Sequence, residues 1–164
     1  MLQYDFEESL GYWIFSTAHA MSRALNEELS AHGITYRQWE VLAWLSYLGE
    51  VSQIELAESM RIEAPTLVGL LDRMERDDWI QRVQDPNDRR KKLIRPTDRV
   101  EPVWNRMVEC AQRIRLRARE GLSLEQLDQL RDTLAAMRAN LSPEGDLPPA
   151  RKSPASAAAE TSEE

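Results

Sequence analysis

The sequence predicts a mainly α fold with a small β-wing, a winged helix-turn-helix set between longer helices. Three observations carry that prediction. Two short amphipathic segments, Gln53 to about Met60 and Ala64 to about Asp77, are separated by a tight turn, and the second opens at Pro65. Proline suits a first helical turn because its missing N–H would have no intrahelical partner there. Two β-rich runs follow, Trp79–Val83 and Lys92–Arg95, bracketing the turn residues Asp85-Pro86-Asn87-Asp88. Long stretches with apolar residues at helical spacing flank this unit on both sides.

Residues 7–31 read as a helix, with Leu10, Ile14, Ala18, Met21, Leu25 and Leu29 recurring on one face and Gly33 as the stop. Thr35-Tyr36-Arg37-Gln38 fits a capping box, whose hydroxyl and amide satisfy orphan N–H groups reciprocally. The helix it opens carries Trp39, Leu42 and Leu45 and ends near Gly49. A second box, Ser52-Gln53-Ile54-Glu55, opens a short helix with Ile54, Leu56 and Ala57 expected inward. In the helix after it, Leu67, Leu71 and Met74 form a core stripe, while Pro65, Thr66, Gly69 and Arg73 share the opposite one. Helix resumes after Thr97, runs to about Glu120 and breaks at Gly121; a third box at Ser123–Gln126 opens a last helix to about Leu141. From Ser142 the chain turns to Pro, Ala, Ser and Glu. It lacks the apolar residues to offset its ordering entropy, so 142–164 is expected to be a disordered tail. The rest is expected to be one domain over 1–141, with the winged helix at 35–96.

At 164 residues the chain is long enough to bury a real core. No apolar run approaches the ~18 residues that a membrane span needs. The acidic start MLQYDFEESL lacks the basic region of a signal peptide, so a soluble cytoplasmic protein is expected. Cys110 is the only cysteine, which excludes an intrachain disulfide, and with His19 and His32 far from it no metal set is expected. No GxSxG, HExxH, Walker A or GxGxxG motif occurs, so no catalytic residues and no cofactor are assigned and an enzyme is not expected. The net charge of −7 argues, taken whole, against a polyanionic partner. Its distribution argues the other way: residues 81–95 hold Arg82, Arg89, Arg90, Lys91, Lys92 and Arg95 against only Asp85 and Asp88. A basic segment in an acidic chain fits a local footprint on a polyanion, and fits a solvated charged loop equally well.

In this order of elements the chain resembles the MarR family of bacterial regulators, and within it the SlyA-like branch. The resemblance covers roughly residues 8–141. Asp85-Pro86-Asn87-Asp88-Arg89-Arg90 is similar to the family's wing signature; Ser52-Gln53-Ile54-Glu55-Leu56-Ala57 and Ile62-Glu63-Ala64-Pro65-Thr66-Leu67-Val68 are similar to SlyA-type reading helices. Leu10-Gly11-Tyr12 and Ile34-Thr35-Tyr36-Arg37-Gln38-Trp39 match the usual opening segments.

The resemblance implies a DNA-binding homodimer on a palindromic operator, with 1–34 and 97–141 as the helical dimerisation region. Trp104, Met107, Val108, Ala111, Ile114, Leu130, Leu134 and Met137 are the candidates for a shared core. At the reading helix, Ala64, Pro65, Thr66, Gly69 and Arg73 would face the major groove, where Thr66 suits a base edge or a thymine methyl. Arg73 suits guanine or a phosphate. Ser52 and Gln53, at a helix N-terminus, suit a phosphate. Gly69 stands where SlyA-like proteins usually carry a DNA-contacting arginine. In the wing, Arg90 is expected to enter the minor groove with Asp88 holding its guanidinium, while Arg89, Lys91 and Lys92 meet phosphates.

The family commonly binds small aromatic carboxylates or phenols near the dimerisation helices. His19 and Trp39 are the candidates here, the imidazole for a carboxylate and the indole for a ring; both also fit ordinary packing. Some relatives sense peroxides with a cysteine in the first helix, but Cys110 lies in the fifth, where a small buried hydrophobe is the commoner role. The alternative reading is a ligand-responsive interaction protein of the same fold without specific DNA binding. Gly69 favours that alternative and the basic wing opposes it.

Overall fold

The computed structural model describes residues 5–88 and 90–141. The expected tail, 142–164, and Arg89 lie outside the described residues. Six helices and three short strands follow one another: α1 (Leu10–Ser30), α2 (Tyr36–Leu48), β1 (Val51–Ser52), α3 (Gln53–Met60), α4 (Ala64–Arg76), β2 (Ile80–Gln84), β3 (Lys92–Pro96), α5 (Glu101–Ala118) and α6 (Leu124–Leu141). The chain divides into two compact units, one reaching Leu122 and the other beginning at Ser123.

Capping chemistry sets most of the helix starts. Thr35 Oγ1 accepts from the N–H of Gln38 and Gln38 Oε1 accepts from the N–H of Thr35, closing the box that opens α2. Ser52 and Glu55 repeat the arrangement at α3, and Ser123 and Gln126 at α6. Helix α1 starts later than residue 7, at Leu10, because Ser9 takes the cap and accepts from the N–H of Tyr12 at 3.2 Å. Helix α2 stops at Gly49, whose φ of +79° suits only a residue without Cβ.

Between α3 and α4 the turn is three residues long. The N–H groups of Arg61 and Ile62 return to the carbonyls of Glu58 and Ala57, both at 3.1 Å. That double return satisfies the last carbonyls of α3 and aims the chain straight into α4.

The three strands form one antiparallel sheet in the order β1-β3-β2. Strand β1 has no sequence signature: it is two residues, and only its pairing of Val51 with Ile94 and Ser52 with Leu93 defines it. The longer pairing runs from Ile80 opposite Pro96 to Gln84 opposite Lys92.

A single core gathers Leu25 and Leu29 of α1, Val41, Leu42 and Leu45 of α2, Leu56 of α3, Leu67, Leu71 and Met74 of α4, and Ile80 and Ile94 of the sheet. Each such side chain contributes roughly 1.5–3 kcal/mol by leaving water. Met107, Cys110, Ala111 and Ile114 of α5 complete it from below α1.

Two expectations are corrected here. Ile54 does not turn inward; it is 68% exposed, because Leu56 and Ala57 take the inner face of α3 and leave position 54 on the outside. Met107, Ala111 and Ile114 are already buried inside the chain's own core against α1. The exposed apolar surface of the first unit is densest instead at and just before the start of α1, where Phe6, Leu10, Tyr12, Trp13, Ile14 and Phe15 are exposed. In the second unit α6 has no buried residue, and Leu124, Leu130, Leu134 and Leu141 are exposed.

Candidate nucleic-acid interface

Helix α4 divides its residues as its spacing predicts. Leu67, Leu71 and Met74 are fully buried, whereas Ala64, Pro65, Thr66 and Arg73 are exposed and Gly69 is half-exposed. The helix is therefore anchored along one side and offers the other as a continuous outer stripe. Its last turn carries Arg73 and Arg76, cations that suit the negative end of the helix dipole.

The wing is fastened to this helix through Arg82. Its Nη2 lies 2.7 Å from Asp72 Oδ1, its Nη1 donates to Glu75 Oε2, and its backbone N–H donates to Glu75 Oε1 at 3.2 Å. At the other end of the hairpin, the Arg99 guanidinium stacks 4.4 Å above the centre of the buried Trp79 ring. The wing is thus fixed at β2 by Arg82 and at the residue before β2 by the Arg99–Trp79 stack.

The wing tip owes its shape to two aspartates. Asp85 Oδ1 accepts from the N–H of Asn87 at 2.8 Å, and Asp88 Oδ1 accepts from the N–H of Arg90 at 2.9 Å. Each carboxylate bonds the backbone two residues on, which is the turn that aspartate side chains favour. The Lys91 N–H donates to the Asp88 carbonyl and the Asp85 N–H to the Lys91 carbonyl, closing the loop. Asp88 therefore holds the backbone of Arg90; the contact expected at the guanidinium is made at the N–H instead.

Of the six cations read from residues 81–95, the five that lie among the described residues sort into two groups. Arg82 is committed to Asp72 and Glu75, and Arg95 Nη2 lies 2.5 Å from Glu50 Oε1. Arg90, Lys91 and Lys92 stand exposed at the tip and along the first residue of β3. Charge counting could not separate these groups, because Glu50, Asp72 and Glu75 come from elsewhere in the chain. Ser52 and Gln53 are half-buried, and Ser52 is engaged in its cap: its N–H donates to Glu55 Oε2 at 2.8 Å and its Oγ accepts from the Glu55 N–H.

His19 and Trp39 do not meet. Trp39 lines a cavity of about 260 Å³ between α1, α2 and α5, together with Met21, Ser22, Tyr36, Ile114 and Arg115. His19 lines a separate, polar depression with Ser16, Arg23, Glu27 and Arg117. Among the described residues the buried Trp39 Nε1–H finds no acceptor, an uncommon state for an indole donor. Burial of the Tyr36 ring, then the neighbouring Glu40 carboxylate, holds its phenol above the ordinary value.

Cys110 is buried, and desolvation pushes its thiol up despite Arg113 Nη2 standing 3.2 Å from Sγ. That is the opposite of an activated thiolate. Arg113 itself reaches across to Glu28 Oε2 of α1 at 2.8 Å, so the arginine face of α5 is partly structural rather than wholly solvated. Among the described residues no group of His, Cys, Asp and Glu could hold a metal ion, and no helix is long and apolar enough to cross a membrane.

Residues 34–92 match the MarR family model. Among solved structures, the chain is 25% identical to a mutant of MarR from E. coli complexed with operator DNA; the match covers 78% of this chain and 92% of that one, with a TM-score of 0.73. The transcriptional regulator SlyA is 26% identical, over 83% of this chain and 96% of its own, with a TM-score of 0.75. A probable transcriptional regulator from Pseudomonas aeruginosa shares the fold at 24% identity, over 81% of this chain and 99% of its own, with a TM-score of 0.71. Residues 34–92 thus match the MarR family model, and the winged-helix fold around them is similar to that of the MarR and SlyA structures.

Proposed function

We propose that this protein is a homodimeric transcription regulator that binds palindromic duplex DNA, with α4 in the major groove and the wing tip at the minor groove. The observation that carries the reading is the two-sided α4. Its inner stripe is fully buried, so its outer stripe of Ala64, Pro65, Thr66, Gly69 and Arg73 is presented rigidly beside an exposed cationic wing tip. A helix and a cationic hairpin presented together suit adjacent grooves of one duplex. Arg90 is the minor-groove residue; Arg89, Lys91 and Lys92 add phosphate contacts, as do Ser52 and Gln53 through the start of α3. The related MarR–operator complex supports this assignment by analogy.

The homodimer reading rests on uncovered apolar surface. The exposed aromatic start of α1 and the exposed leucines of α6 each exceed what a solvated helix carries. Within the expected shared core, this leaves Leu130, Leu134 and Met137, with Trp104 and Val108 half-buried on α5. A twofold dimer reads two half-sites, so its operator is palindromic, with half-sites about one helical turn apart.

A small aromatic carboxylate or phenol is the proposed modulator, seated in the Trp39 cavity. An aromatic ring fits between Met21, Tyr36 and Ile114, an anionic oxygen would accept from Trp39 Nε1, and Arg115 supplies the compensating charge. Such a ligand wedges between the helices α1 and α5 and helix α2 of the winged helix, and so biases the spacing of the two reading helices. His19 belongs to the other depression and stays outside this site.

The test is fluorescence anisotropy of the full chain on the duplex upstream of its own gene, against a shuffled duplex, across a salt series. Preference for the upstream duplex, with affinity falling steeply as salt rises, is the expected result. No binding to any duplex at low salt overturns it, in favour of a ligand-responsive interaction protein of the same fold.

A further inference from the structure

Gly69 and Arg73 lie one helical turn apart on the exposed stripe of α4. Apart from the helix's own backbone, a Cβ added at Gly69 would have one neighbour within 4 Å, Arg73 Nη1 at 3.7 Å. The guanidinium is therefore folded back along the helix, over the space that a side chain at 69 would fill. Helical side chains lean toward the N-terminus, so this is a relaxed direction for it. The nearby carboxylates are engaged elsewhere: Asp72 and Glu75 hold Arg82, and Asp77 holds Arg76. Among the described residues no carboxylate is bonded to Arg73.

Glycine is a poor helix-interior residue, and nothing inside the chain calls for it here. Its φ is not positive, and no backbone or core side chain crowds the missing Cβ. A Cβ alone would sit in ordinary contact with the Arg73 guanidinium, whereas a longer side chain would fill the space that it lies over.

We infer that Gly69 and Arg73 form one guanine-reading unit, in which the bare backbone at 69 admits the Arg73 guanidinium to the base edges. The inference rests on the proposed placement of α4 in the major groove. The N-terminal turns of a reading helix come closest to the bases, while a cation in the third turn, at its own level, meets the flanking phosphates. Folding back by one turn moves the guanidinium about 5 Å toward the N-terminal end. Guanine is the base that matches it, since O6 and N7 accept the two parallel N–H groups of the arginine fork. A side chain longer than a methyl at 69 would occupy that position and push Arg73 back to the phosphates.

The experiment selects preferred sites from a randomised duplex pool with the full chain, then measures affinities of wild type, Arg73→Lys and Gly69→Leu. The duplexes are the selected site, the site with single G·C pairs replaced by A·T, and an unrelated duplex. Lysine keeps the charge and loses the fork; leucine favours helix and fills the vacancy, with helix content checked by circular dichroism. Wild type should lose about tenfold or more when one G·C pair in each half-site is replaced. Both variants should lose that discrimination at the same pair, their loss on the selected site exceeding their loss on the unrelated duplex. If Arg73→Lys weakens all duplexes by one common factor, Arg73 is a phosphate contact and the inference falls while the proposed function stands. Discrimination kept in Gly69→Leu overturns it likewise. A wild type that enriches no site overturns the proposed function itself.

Discussion

Arg82, in the first strand of the wing, lies 2.7 Å from Asp72 on the reading helix. The pair sets the angle between the two parts that are proposed to enter adjacent grooves, and Glu75 reinforces it by accepting from both the side chain and the N–H of Arg82. The Arg82 side chain is only 15% exposed, whereas its carboxylate partners are largely solvated. Solvent screening on the acidic side therefore limits what the pair contributes.

Replacing Arg82 by Met keeps the apolar stem and removes the fork. The expected loss is about 1–2 kcal/mol, above that of an ordinary surface pair because two carboxylates and one mostly buried cation are involved. Urea unfolding measures it. Hydrogen exchange should localise it, with amides of Ile80–Gln84 losing protection while those of α2 keep theirs. Equal loss of protection in α2 would show that Arg82 supports the core at large and not the wing.

Arg90 stands exposed at the tip, with its backbone fixed by Asp88 and its side chain free to extend. Arg90→Ala should weaken operator binding at least about tenfold, the size of one good groove contact, and leave the sedimentation of the dimer unchanged. Lys91→Ala should act differently, lowering affinity evenly across sequences and reducing the salt slope by about one. If Arg90→Ala shows the Lys91 pattern, Arg90 is one more phosphate contact.

Local chemistry was legible in the sequence wherever it acts between neighbours. The boxes Thr35/Gln38, Ser52/Glu55 and Ser123/Gln126 all form, since each needs only three residues of separation and a helix to follow. The buried stripe of Leu67, Leu71 and Met74 was legible for the same reason. What escaped is set by partners distant in sequence. Strand β1 exists only through its pairing with β3. Arg82 and Arg95 looked like free footprint cations, and it took Asp72, Glu75 and Glu50 to neutralise them. Ile54 satisfied an apolar pattern, yet a helix of eight residues has room for one buried face and Leu56, Ala57 and Met60 fill it. His19 and Trp39 sit on faces of α1 and α2 that their spacing alone could not relate.

The unpaired Trp39 indole makes a prediction in which two readouts move in opposite directions. A buried donor without an acceptor costs about 1–3 kcal/mol, so Trp39→Phe should leave stability unchanged or raise it. Affinity for salicylate-like compounds should nevertheless fall, because the donor proposed to meet their oxygen is gone. With five tryptophans in the chain, isothermal titration is a cleaner readout than fluorescence. A variant that loses stability while binding the compound as before would make Trp39 a packing residue alone.

The cap of α3 ties stability to pH with a definite sign. The Ser52 hydroxyl and then its backbone N–H bond the Glu55 carboxylate and hold its pKa below the usual value. A carboxylate depressed in the folded state contributes stability above its unfolded pKa of about 4.3 and loses it as pH falls through the folded value. Glu55 is exposed, so screening keeps the contribution under about 1 kcal/mol. Glu55→Gln preserves an acceptor for the Ser52 N–H without the charge. Wild type should therefore exceed the variant in urea midpoint at pH 7, and the gap should close over the acid range below about pH 4.3, as pH falls through the depressed folded value. A gap constant across that range would assign the cap's worth to its hydrogen-bond geometry, with no part carried by the charge.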